Sequence, residues 1–220
     1  HGQLAEVTQE FSLKNLPRVL RDTENTSQKL ACFKPEAEEA FKGLRPGDIL
    51  AVQSESQFGM AARLQKLVGA SGDYTHTGMV TQEGQVIEII GGAGVRLSDP
   101  NQWLYNEHVA VLRPQFAGPE SLKKTLAHLV SYLPSQDWTK PNPKSLSYDE
   151  RLSLKSDDEQ YCTEFLYKAA KDNAPELELK PSSTLGFKYV TVDDFKNNPH
   201  VDTVFSTGSN FWTNQVSRFV

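Results

Sequence analysis

The sequence predicts an α+β fold in which an antiparallel sheet, carrying a histidine and a glutamate, packs against a helix bearing a cysteine. Three observations predict it. The run Ile49-Leu50-Ala51-Val52 and the segments Tyr74–Thr81 and Gln85–Ile90 read as strands, being short, apolar and bounded by turn residues. Gln82-Glu83-Gly84 between the latter two reads as a hairpin loop. Residues 157–172, which include Cys162, read as an amphipathic helix.

The elements follow in order. Residues 1–45 read as a helical arm packed on the core. One helical piece lies around Phe11–Arg21, broken at Pro17. A second runs from Pro35 to Lys42, with Pro-Glu at its first turn. Arg45-Pro46-Gly47-Asp48 is a turn into the first strand. Residues 53–73 form a loop with a short helical stretch near Met60–Val68. After the hairpin, Gly91–Gly94 reads as a bend and Val109–Leu112 as a strand. Pro119 opens a helix whose Leu122, Leu126, Leu129, Val130 and Leu133 form a core-facing stripe, stopped by Pro134. Residues 135–156 are a polar loop. Ser156 and Glu159 fit a capping box that starts the cysteine helix at about Asp157. Short strands are expected at Lys188–Val192 and Val201–Phe205.

The bulk numbers exclude several classes. The 220 residues suit one globular domain, 46–220, preceded by the 1–45 arm. A net charge of −5 and a pI near 5.6 argue against nucleic acid as a partner, because no basic stripe is present to neutralise phosphates. No apolar run reaches the ~18 residues of a membrane span. The chain opens on His1-Gly2 rather than Met, as expected of a processed mature form or a tagged, trimmed one. Two cysteines, Cys32 and Cys162, are too few for a disulfide framework; a single bridge between them would consume the Cys162 thiol. No zinc-ligand spacing occurs, and no cofactor is expected.

Cys162 near a helix start can gain nucleophilicity from the helix dipole, and further from an imidazolium. Of five histidines, His76 is the one embedded in a strand with small neighbours, Thr75, Thr77 and Gly78. Glu88 lies 88 − 76 = 12 positions on, flanked by aliphatic residues. A three-residue loop with a left-handed Gly84 would pair Thr81 with Gln85, hence Gly78 with Glu88. Glu88 and His76 would then share a face as a diagonal pair, with Gly78 leaving room. Each residue also has a plainer reading: a buried core cysteine, a structural histidine, an edge-strand glutamate.

Arg45-Pro46-Gly47-Asp48-Ile49-Leu50, Thr75-His76-Thr77-Gly78-Met79-Val80, Val86-Ile87-Glu88 and Tyr161-Cys162-Thr163-Glu164-Phe165-Leu166-Tyr167 resemble the permuted papain-fold amidases. These belong to the NlpC-type cysteine peptidase superfamily, with the lecithin:retinol acyltransferase-like proteins as relatives. The resemblance spans about 45–195, in the permuted order of histidine strand before cysteine helix. It implies a circularly permuted papain-like fold, with Cys162 as nucleophile, His76 as general base and acid, and Glu88 as the orienting third residue. It implies a hydrolase cutting an amide through a thioester, acting on peptides such as peptidoglycan stems in a bacterial periplasm or cell envelope. The 135–156 loop and the 1–45 arm depart from the family pattern.

Three other readings stand beside it. A lipid acyltransferase or thioesterase would use the same triad on a lipid-linked acyl group, favoured by an apolar groove from Phe58, Met60, Leu64 and Leu67. A binding module on the same fold would keep Cys162 buried and unreactive. A metal site from Cys162, His76 and Glu88 is the remotest. Oligomeric state is not legible in the chain.

Overall fold

A computed structural model describes residues 35–53, 73–106, 108–135, 142–184 and 186–207. The helical pieces expected around Phe11–Arg21 and Met60–Val68, the apolar groove of Phe58, Met60, Leu64 and Leu67, and Cys32 lie outside the described residues. The molecule is α+β. Its main sheet has six antiparallel strands, in the spatial order Val201–Ser206, Val109–Pro114, Ile49–Val52, His76–Val80, Val86–Ile90 and Gly94–Ser98.

Helix α1 (Pro35–Lys42) buries Ala37 and Phe41 and exposes its glutamates, as its amphipathic pattern requires. The Arg45–Asp48 turn follows. Its Asp48 is buried and accepts two hydrogen bonds from Arg113, at 2.8 and 2.7 Å, and one from the Arg45 N–H at 2.8 Å. This fixes the entry of β1 (Ile49–Val52) against β5 (Val109–Pro114).

Strand β2 (His76–Val80) pairs with β1, and β3 (Val86–Ile90) folds back on it. The hairpin register is the expected one. Thr81 N–H donates to Gln85 at 2.7 Å, Gly84 is left-handed at φ +79°, and Met79 faces Ile87. Gly91–Gly94, expected as a bend alone, instead turns the chain into a further strand, β4 (Gly94–Ser98), which pairs with β3 along its whole length. Gly92 and Gly94 both take positive φ there, which other residues do only at a cost. A 3-10 helix, Pro100–Tyr105, capped by the Asp99 carboxylate, then brings Trp103 back beneath the hairpin.

Helix α2 (Pro119–Val130) buries Leu126 and Leu129, with Leu122 and Leu133 half-buried against the core. Val130, expected on this stripe, is 40% exposed. At ~100° per residue it falls on the stripe's far edge from Leu122 and Leu129, and Thr125 takes the inner position instead.

The cysteine helix, α3 (Cys162–Asn173), starts five positions later than its capping-box pattern predicts, 162 − 157 = 5. Ser156 Oγ does accept the Glu159 N–H, at 3.2 Å, but only as a local turn. The backbone of β7 (Glu159–Gln160) is drawn into a parallel pair with β6 (Ser147–Tyr148), inside the region expected to be loop. Tyr161 is the N-cap instead, and Glu164 Oε2 accepts its backbone N–H at 3.3 Å. A small hairpin, β8 (Ser182–Thr184) and β9 (Phe187–Tyr189), follows. The strand expected at Lys188–Val192 is therefore shorter, because Thr191 caps a new helix, α4 (Val192–Lys196). Strand β10 (Val201–Ser206) closes the sheet's far edge.

The two sheet faces bury separate clusters. Ile49, Ala51, Met79, Ile87 and Ile89 pack under α3 with Cys162, Phe165 and Leu166. Leu50, Val52, Val80 and Val86 pack on the other face with Phe41 and Trp103. No described helix is long and apolar enough to cross a membrane.

Candidate active site

Cys162, His76 and Glu88 come together. Their arrangement follows from where each lies on its element. Cys162 is the first residue of α3, so its N–H has no intrahelical acceptor and its side chain stands at the positive end of the helix. This is a stronger placement than the second-turn position implied by a start at Asp157. The helix end is pinned by two bonds to Val190. The Tyr161 hydroxyl accepts the Val190 N–H at 2.6 Å, and the Thr163 hydroxyl donates to the Val190 carbonyl at 2.6 Å. Tyr161, to which the sequence assigned no chemistry, is thus an anchor.

His76 is the first residue of β2 and turns its side chain to the Trp103 face. The indole and imidazole stack with centroids 5.1 Å apart and planes 18° apart. Trp103 Nε1 donates to Ser98 Oγ at 3.1 Å, which fixes the indole. Glu88, on the same face, meets His76 as the register requires: Nε2 to Oε2 is 2.6 Å. Gly78 makes this possible, since a Cβ there would lie 2.5 Å from Val86 Cγ1 and 3.0 Å from Trp103 Cη2.

The helix covers one face of the sheet and the histidine lies on the other. They meet where the β2–β3 ladder ends. Its pairs are Met79–Ile87 and Val80–Val86. Beyond them, the Thr77 N–H and the His76 ring come within electrostatic reach of the thiol, while the ring's Nε2 stays with Glu88 on β3. The Cys162 Sγ also lies 3.9 Å from the Thr75 carbonyl, an acceptor for the neutral thiol.

The electrostatics agree with an ion pair. Burial pushes the Cys162 thiol up, but the hydrogen bond and charge of His76, with the Thr77 N–H and hydroxyl, outweigh it and hold the thiol below its ordinary value. Burial would depress the His76 imidazole. Hydrogen bonds and charge from Cys162 and Glu88 instead raise it from 6.5 to about 9. Burial likewise raises Glu88, and His76, the Ser98 hydroxyl and Arg96 bring it below the usual carboxylate range. All three side chains are buried, Cys162 at 1% exposure.

Sequence reasoning missed three residues here. Tyr148, on β6, faces Cys162. Burial first, and the thiol's charge second, keep its phenol neutral far above the ordinary range. Trp103 stacks on the imidazole, and Arg96 Nε donates to Glu88 Oε1 at 3.0 Å. For Arg96 a signal existed: Gly94-Val95-Arg96-Leu97-Ser98 alternates apolar and polar after a glycine-rich turn. Tyr148 and Trp103 carry no local signal, because each reaches the site through tertiary packing. A polar cleft of about 460 Å³, lined by residues such as Glu178, Lys180, Asp193 and Asp194, includes none of the triad residues.

No protein-family model and no curated protein matches the chain. Among solved structures it is similar to one described as metalloprotein yiiX from Escherichia coli O157:H7, DUF1105. The TM-score is 0.53 at 22% identity, over 74% of this chain and 98% of that one. The likeness shows a shared fold. The residues here do not suit a metal. His76 and Glu88 direct their donor atoms at each other across 2.6 Å, and among the described residues no group of three or more His, Cys, Asp or Glu is arranged around an ion.

Proposed function

We propose that this protein is a cysteine-dependent hydrolase of circularly permuted papain-like fold, cutting an amide bond through a thioester on Cys162. The observation that carries the reading is a thiol at the first position of a helix, electrostatically coupled to an imidazole whose Nε2 lies 2.6 Å from a buried carboxylate. A buried imidazole and carboxylate are costly to hold for structure alone, since apolar residues of the same volume fill such space at no loss. The order of histidine hairpin and cysteine helix, and the residues quoted above, support the permuted NlpC-type assignment.

In this reading the Cys162 thiolate attacks the carbonyl carbon, and the C=O electrons move to oxygen. The Cys162 N–H and the neutral Tyr148 hydroxyl donate to that oxyanion, an effect worth ~3 kcal/mol per donor where it has been measured. His76 gives its proton to the leaving nitrogen as the C–N bond breaks. Water then attacks the thioester, His76 takes its proton, and the acid leaves with the thiolate restored. Glu88 holds the ring throughout. Peptides of the bacterial cell wall are the substrate class that the resemblance supplies; a lipid-linked acyl group would use the same steps.

A second reading rests on the 1% exposure of Cys162. A binding shell of the same fold would keep its thiol out of reach. Intact-mass analysis after incubation with an activated acyl ester separates the two. An acyl adduct mapped to Cys162, absent in Cys162→Ser, supports the hydrolase. A protein that stays unmodified supports the shell.

A further inference from the structure

Glu88 has two carboxylate oxygens, each with its own cation. Oε2 faces His76 Nε2 at 2.6 Å, and Oε1 accepts from Arg96 Nε at 3.0 Å. The second contact is set by the backbone, because Glu88 and Arg96 are directly opposed in the β3–β4 ladder. The glutamate side chain is 4% exposed and the arginine 44%, so the guanidinium sits at the solvent end of a buried row.

We infer that Arg96 is a positioning residue of this site. It holds the Glu88 carboxylate in the orientation that engages His76, and supplies the charge that balances the row from Cys162 to Glu88. The inference rests on the hydrolase reading above. In the working state the row runs thiolate, imidazolium, carboxylate, guanidinium, and its charges cancel. Without Arg96 the buried remainder carries one net negative charge, which low-dielectric surroundings penalise. The row answers by keeping a proton longer on the thiol or the carboxylate, and either loss weakens the thiolate.

The other groups facing the row do not substitute for Arg96. Tyr148 and the Thr77 N–H and hydroxyl face Cys162, Trp103 stacks on His76, and Ser98 faces Glu88; all are neutral. Nor is Arg96 needed to tether β4, which five backbone pairs already join to β3.

The test is the pH dependence of Cys162 alkylation by iodoacetamide. It compares the full chain carrying Cys32→Ser with the same chain bearing Arg96→Met or Arg96→Lys. Urea unfolding is run alongside. The expected result is a midpoint raised by about one pH unit in Arg96→Met, largely restored in Arg96→Lys, with urea midpoints unchanged. Salt near ~1 M should narrow the gap between parent and Arg96→Met, because the guanidinium is half in solvent. A low parent midpoint that Arg96→Met leaves in place overturns the role of Arg96 alone. A shift that appears only with lost stability and that Lys does not restore overturns it as well, making Arg96 structural. A parent midpoint at the ordinary ~8.5 overturns the hydrolase reading, and the inference with it.

Discussion

The Glu164 carboxylate accepts the Tyr161 backbone N–H at 3.3 Å, and this contact starts the cysteine helix at Cys162. A residue with 0% exposure therefore holds the helix's first turn. Its Oε1 lies 3.1 Å from Lys168 Nζ, one turn along.

Glu164 should leave a pH signature on stability. Burial raises its carboxyl from 4.5 to about 7, against the pull of Lys168 and the Tyr161 N–H. The unfolded carboxyl loses its proton near 4.5, while the folded one keeps it to about 7. Folding thus favours the protonated form. The stability it contributes is complete below 4.5 and is lost as pH rises through about 7. Urea midpoints of the parent should fall relative to Glu164→Gln across that window. A difference between the two that is constant with pH would contradict the account.

Gly78 should tolerate no side chain. A Cβ there would lie 2.5 Å from Val86 Cγ1 and 3.0 Å from both the Ile87 carbonyl and Trp103 Cη2. Gly78→Ala must displace a buried valine or the indole that holds His76. The expected loss is ~1–3 kcal/mol in urea unfolding, with slower alkylation of Cys162 at neutral pH. A variant as stable and as reactive as the parent would show that the stack has more room than these distances give.

Tyr148 should matter to turnover more than to folding. Its ring is half-buried against Ile90, and its hydroxyl faces the thiol. Tyr148→Phe keeps the ring and removes the donor. Hydrolysis of a model acyl ester should slow by ~10²-fold, the scale of one lost oxyanion donor, with an unchanged urea midpoint. Unchanged turnover would remove Tyr148 from the reaction.

Much of the site was legible because hairpin geometry is local. Gly84 at the end of a three-residue loop fixes the register, and the register alone puts Glu88 on the face of His76. The helix start was misread for a physical reason. Ser156/Glu159 satisfies the capping pattern, whereas Tyr161 is no usual cap, and the pairing of Glu159–Gln160 with Ser147–Tyr148 moves the start on to Cys162. That pairing is a long-range event with no trace in the local sequence. β4 was hidden by its glycines, which read as a bend until Val95 is seen facing Ile89. Val130 shows the opposite limit: apolar and in phase by count, it still lies at the margin of the stripe.

The central claim is the Cys162–His76 ion pair. Its most direct test is the rate of Cys162 alkylation by iodoacetamide as a function of pH, in the Cys32→Ser chain with and without His76→Ala. The account predicts a thiol that titrates well below ~8.5, and a midpoint that returns to the ordinary range or above when His76 is removed. A slow thiol with an ordinary midpoint, indifferent to His76, would contradict it and leave a fold used for binding.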